Sequence, residues 1–260
     1  MKVTTIIYIV GDKFEHFSKH EGVYTFTSFI NLLSDSEKKF KCDFLVLGQG
    51  LDIEEKNILK ALVKHAEIGC IQEPIEPLAS TTISHKHQVK NIMISEPFYI
   101  ESKNSYKSCL VLNDDCAEMS DHVTGQHIQG MVLTEAARQM MLAVAEKYIL
   151  KDCEKDNSYC ALLKVTAHFK HFGFPISTQI FHEILELSND KPGKYKARTN
   201  TTFIQNNKII TSVEIDYLFN DKKMLYEKEE KMAYQVLSEN RVIYSDSQKL
   251  PFISEANYEN

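Results

Sequence analysis

Residues 131–149 read MVLTEAARQMMLAVAEKYI, and this run restricts the fold more than any other stretch of the chain. Nearly every position in its first half is apolar or small, apart from Thr134, Glu135, Arg138 and Gln139. A helix that is apolar on most of its sides has to be wrapped by other structure. Met131–Ile149 is therefore expected to be a buried central helix.

The segments around it have β character. Val89–Ile94 and Tyr106–Leu112 are strand candidates before the helix, and 161–172, 176–187, 195–204 and 209–219 follow it. In 176–187, Ile176, Thr178, Ile180, His182 and Ile184 alternate with a second set, as suits a sheet with one face on a helix. Turn residues at Asn189–Gly193, Asn206-Asn207 and Asn220-Asp221 bound the last strands, as an antiparallel meander requires. One long helix gripped by an antiparallel sheet is the hotdog plan, an α+β fold.

Residues 1–80 have a different pattern. Thr4–Val10, Phe44–Leu47 and Ile68–Ile71 read as short strands, separated by helical spacing over Phe26–Leu33 and over the segment after Asp52-Ile53-Glu54-Glu55. That tetrapeptide has the form of a capping box. Alternating strands and helices imply a small parallel sheet. Gly48-Gln49-Gly50 sits where a phosphate loop would, but it lacks the third glycine and the Lys-Ser or Lys-Thr, so it reads as a tight turn. The expected organisation is a small α/β domain at 1–80, a hotdog domain at 81–240 and a tail at 241–260.

Lysine and arginine total 30 against 36 aspartates and glutamates, so no basic surplus exists to neutralise nucleic-acid phosphates. The opening apolar run gives way at once to Gly11-Asp12-Lys13, which reads as a first strand and not a signal peptide, and no run is long enough to span a bilayer. The six cysteines show neither a CxxC pair nor zinc spacing, which fits reduced thiols in a cytoplasm. No cofactor, metal, nucleic acid or membrane is expected.

Chemistry concentrates just before and within the helix. His122 lies in a loop containing Gly125, and Gly130 stands at the start of the helix, where its amide is unpaired at the positive end of the dipole. Glu135 and Gln139, four apart, share a helix face. Burying a lone carboxylate raises its pKa, which would suit Glu135 to proton transfer near neutrality. The alternative is a structural Glu135 paired with Arg138 or with a backbone amide. His127 is placed to contact a substrate phosphate or to order its loop.

The run His122-Val-Thr-Gly125, with Gln129-Gly-Met-Val-Leu-Thr-Glu135-Ala-Ala-Arg-Gln139, resembles the central motif of the hotdog 3-hydroxyacyl-carrier-protein dehydratases. The resemblance implies that His122 and Glu135 are catalytic, that the Gly130 amide holds the thioester and that Gln139 is the helix glutamine of the motif. Here the spacing is one residue shorter and the prolines of the motif are missing.

A closer resemblance is to the A-factor biosynthesis hotdog family. It rests on Glu135-Ala-Ala-Arg-Gln139, the lead-in His85-Lys86…Val89-Lys-Asn-Ile-Met-Ile94, and Phe169…Phe172-Gly-Phe-Pro175, and it covers roughly 84–235. It implies transfer or condensation of a 3-oxoacyl group from acyl-carrier protein or CoA. Gly130, Gln139, His127 and Arg138 are the expected substrate-binding residues. Founding members carry two hotdog repeats. One repeat is found here, so a homodimer is expected to supply the second half. A dehydratase, a thioesterase and a catalytically silent acyl-binding protein are the alternatives.

Overall fold

The computed structural model describes residues 4–34, 41–63, 67–72, 77–121, 123–155, 157–191 and 193–246. Its first unit is built on β1 (Ile6–Val10), β2 (Val23–Thr25), α1 (Phe26–Ser34), β3 (Lys41–Leu47), α2 (Ile53–Val63) and β4 (Glu67–Gln72). The strands form one parallel sheet in the order β2-β1-β3-β4. The three expected strands are present. The fourth, β2, is three residues long, too short to leave a period in the sequence. Asp52 and Glu55 close the capping box of α2 reciprocally, at 2.7 and 2.9 Å.

Short helix α3 (Thr81–Ser84) leads into the second unit. Its sheet contains β5 (Phe98–Ile100), β6 (Ser105–Cys109), β7 (Ser158–Phe169), β8 (Gln179–Lys191), β9 (Lys194–Gln205) and β10 (Lys208–Asp221). The order is β5-β6-β8-β9-β10-β7, with every pairing antiparallel. The central helix α4 (Gly130–Val144) continues as a π-helical turn, Ala145–Ile149, and is followed by the one-turn helix α5 (Asp152–Lys155).

The burial expected of the central helix is met. Val132, Ala136, Ala137, Met140, Met141 and Ala143 have at most 2 % exposure, and they join Ile180, Phe203, Val213 and Ile215 of the sheet in one core. The alternation in 176–187 also holds at its start, where Thr178, Ile180 and His182 face inward.

One local expectation is corrected. Residues 89–94 are not a regular strand: Val89–Asn91 form a 3-10 turn held to α4 by Gln139, and the chain meets the sheet only at its end, where Ile94 bridges Leu110. The chain beyond β10 forms a 25-residue helix, α6 (Lys222–Asp246).

The first unit is clasped to the second. The Gln49 side chain donates to the Leu110 carbonyl at 3.0 Å and accepts from the Leu112 amide at 2.8 Å. A Cβ at Gly11 or at Gly50 (φ 94°) would overlap the Asp114 carboxylate. Asp114 thus fills the crevice at the carboxyl ends of β1 and β3, where parallel sheets ordinarily take a ligand. Gly48-Gln49-Gly50 is a turn that grips the hotdog sheet.

Candidate active site

Glu135 lies on the second turn of α4, its side chain 16 % exposed. Four hydrogen bonds converge on its carboxylate. Arg138 donates from Nε to Oε2 at 2.7 Å and from a terminal nitrogen to Oε1 at 2.8 Å, a bidentate fork. Lys86 Nζ lies 2.8 Å from Oε1, and Gln139 Nε2 donates to the same oxygen at 3.1 Å.

This overturns the expectation of a raised Glu135 pKa. Burial pushes the carboxyl up and is its largest single influence, but the Arg138, Lys86 and Gln139 donors together outweigh it and hold the group below the ordinary range. At neutral pH Glu135 is an anchored carboxylate, without a proton to give. The same pairing raises Lys86 and Arg138, both of which stay charged.

Local geometry explains how Lys86 arrives there. Ser80 caps α3, and His85 ends it in the left-handed region at φ 51°. His85 Nε2 then meets Oε1 of the buried Glu146 at 2.8 Å. A non-glycine residue rarely holds that conformation unless its surroundings over-determine it. The reversal at His85 directs Lys86 back over α4, where Glu118 shares its ammonium at 3.2 Å. The sequence reading missed both Lys86 and Glu118. Sequence distance hides them, since they lie 49 and 17 residues from Glu135.

Gln139 has no exposed surface. Its Oε1 accepts the Met93 amide at 2.9 Å, and its Nε2 donates to the Asn91 carbonyl at 2.9 Å as well as to Glu135. It ties the 89–93 segment to the helix and orients the carboxylate.

Beside Glu135 and Arg138 opens a cleft of about 240 Å³, walled by Met131, Thr134, Leu162, Val165 and Ile215, with Glu118 at its margin. Gly130 is the first residue of α4 but does not line this cleft. The Phe169 ring lies over it, so close that a Cβ at 130 would stand 2.7 Å from the ring edge. His127 is held by Thr124, whose hydroxyl lies 3.3 Å from Nδ1, and its ring tilts against Phe172 at 4.7 Å between centroids. His122 lies outside the described residues. The structure therefore gathers Glu135, Arg138 and Gln139 with Lys86 and Glu118, and sets Gly130 and His127 apart at the amino end of α4. Among the described residues no cluster of His, Cys, Asp and Glu is arranged to hold a metal, and no helix is long and apolar enough to cross a membrane.

A buried helix wrapped by an antiparallel sheet, with an anchored carboxylate beside an apolar cleft, defines a hotdog protein. The chain belongs to the family of the A-factor biosynthesis hotdog domain, whose model matches residues 71–219. No curated protein matches the chain. Among solved structures, a putative thioesterase of Ralstonia eutropha, a phenylacetic acid degradation-related protein, is 12 % identical. That match covers 47 % of this chain and 82 % of that one with a TM-score of 0.36. A mutant thioesterase of Pseudomonas aeruginosa is also 12 % identical, covering 66 % and 96 % with a TM-score of 0.36. A probable thioesterase of Escherichia coli is 10 % identical, covering 40 % and 77 % with a TM-score of 0.32.

Proposed function

We propose that this protein processes acyl thioesters and transfers or condenses a 3-oxoacyl group, delivered on acyl-carrier protein or CoA, onto an acceptor. Membership in the A-factor biosynthesis hotdog family supports the thioester substrate. The observation that carries the choice of reaction is the ionised, fully bonded Glu135 beside an apolar cleft. Dehydration requires an acid that protonates the departing hydroxyl, and an anchored carboxylate holds no proton for it. Acyl transfer has no such requirement.

In this reading the acyl chain lies along Met131, Leu162, Val165 and Ile215. The acceptor hydroxyl attacks the thioester carbonyl while His122 takes its proton. The Gly130 amide holds the oxyanion, with the Phe169 ring swung aside. The carbon–sulfur bond then breaks and the thiolate leaves, taking the proton back from His122. Glu135 orients Arg138 and Lys86, Arg138 contacts the polar head of the substrate, and Gln139 keeps the carboxylate in place. His127 binds beside the acceptor. A homodimer through the hotdog sheet completes the site, because β7 is an edge strand with Leu163, Val165 and Phe169 exposed.

Incubation with 3-oxoacyl, 3-hydroxyacyl and saturated acyl-carrier-protein substrates, followed by intact-protein mass spectrometry, tests this. Transfer frees the carrier thiol only when an acceptor is added. Loss of 18 mass units from the 3-hydroxyacyl substrate would establish the dehydratase instead. Carrier release without an acceptor would mean hydrolysis, and binding without any mass change would mean a silent acyl-binding module.

A further inference from the structure

Helix α6 leaves the sheet where β10 ends and the antiparallel β7 begins. Its root is built in: the Asp221 carboxylate accepts the Met224 amide at 3.0 Å, and the Lys222 amide donates to the Asn157 carbonyl at 2.7 Å. From Tyr226 to Ile243 every residue except Ser238 is exposed. Yet the helix is not polar all round. Leu225, Met232, Val236 and Ile243 stand at i, i+7, i+11 and i+18, which is five turns at 3.6 residues per turn. Tyr226 and Leu237 widen this stripe. Met232, Val236, Leu237 and Ile243 are 56 %, 61 %, 56 % and 62 % exposed. A stripe of this length on an isolated helix is built to be covered.

We propose that α6 is a dimerisation helix whose apolar stripe packs against α6 of a second copy of this chain. The charges favour that occupant. Lys222, Lys223, Lys228, Lys231 and Arg241 are balanced by Glu227, Glu229, Glu230, Glu239 and Asp246, five against five. A surface that meets its own copy needs both signs, because a single sign repels itself. A helix that lies on an anionic membrane carries a basic polar face, which this one lacks. The area is also adequate. Five exposed stripe residues at on the order of 100 Å² each, with the exposed apolar residues of neighbouring β7, approach the roughly 800 Å² per partner of a stable interface. Glu229 and Asn240 both fall within the stripe, where polar residues cost stability but set the register of paired helices.

The helix pairing shares with the reading above only that the chain is a homodimer, not the strand edge or the chemistry, and sedimentation of the full chain separates the two. The wild type should sediment as a dimer. Met232→Lys/Val236→Lys/Ile243→Lys should weaken dimerisation at least about a hundredfold, and Asn240→Leu should tighten it several-fold. Leu163→Lys, on β7, tests the strand edge alone. If the triple variant and Asn240→Leu both leave the dimer unchanged while Leu163→Lys breaks it, the helix proposal falls and the strand-edge reading stands. If only the α6 changes act, the helix proposal stands without the strand edge. A wild-type monomer at 100 µM, or flotation of the wild type with phosphatidylglycerol vesicles at 150 mM salt, overturns the proposal.

Discussion

Replacing Glu135 with Gln is the substitution that asks most of this structure. The sequence alone suggests a mild effect, since a neutral isostere removes only a charge. The structure implies a larger one, because that charge is the common partner of Arg138 and Lys86. A glutamine oxygen can still accept from Lys86 and Gln139, but its amide nitrogen then faces the Arg138 fork, donor against donor. Removing one partner of a buried ion pair costs about 3–5 kcal/mol. Here Arg138 is 29 % exposed and reaches water, and Lys86 keeps Glu118 at 3.2 Å, so the expected loss is about 2–3 kcal/mol. Denaturant unfolding at pH 7.5 should show a lower midpoint at unchanged slope. In a double-mutant cycle with Arg138→Gln, most of the loss should appear as coupling. The pH dependence has a definite sign. A carboxylate with a depressed folded pKa stabilises above its unfolded pKa, and the stability is lost as pH falls through the folded value. The difference between wild type and Glu135→Gln should therefore shrink below about pH 4.5. If Glu135→Gln is as stable as the wild type at pH 7.5, or Glu135→Leu is more stable, the carboxylate does not anchor the two cations.

Other expectations follow from groups further from the cleft. His182 is fully buried, with Nδ1 2.8 Å from the Thr201 hydroxyl and Nε2 unpartnered, and burial pushes its pKa down to about 3. The unfolded chain takes up this proton near pH 6.5 and the folded chain does not, so stability falls as the pH drops below that value. Between pH 7.5 and 5, His182→Phe should gain about 2 kcal/mol relative to the wild type, and parallel stability curves would refute this. Asp114 has the opposite sign: burial raises it to about 6, against the Lys13 amide and ammonium that lower it. Its carboxylate is a cost at neutral pH that protonation relieves, so the wild type should gain about 1 kcal/mol on Asp114→Asn between pH 7.5 and 5, measured by the same unfolding series. Gly130→Ala should displace the half-exposed Phe169 ring at a cost below about 1 kcal/mol, since a flexible surface side chain can yield. If the Gly130 amide holds the thioester, Phe169→Ala should restore any turnover that Gly130→Ala loses through the displaced ring. Turnover lost in both variants would indicate that the ring itself forms the site.

The sequence by itself determined the central helix and the sheet that wraps it, because apolar residues on all sides of one helix leave no other way to remove that surface from water. It also determined that Glu135, Arg138 and Gln139 share a helix face, since a spacing of three and four is a property of the helix alone. Tertiary structure decided the ionisation of Glu135. A pKa depends on what lies within a few ångströms: burial raises this carboxyl, Arg138 and then Lys86 lower it, and Lys86 comes from a reversal at His85 that no periodicity encodes. It also decided that Asp114 fills the crevice of the first sheet, an approach that only glycine at 11 and 50 permits. The helical spacing of 222–246 was present in the sequence. Its meaning lay in the sheet, because a stripe of Met232, Val236 and Ile243 reads as core until the fold leaves it in water.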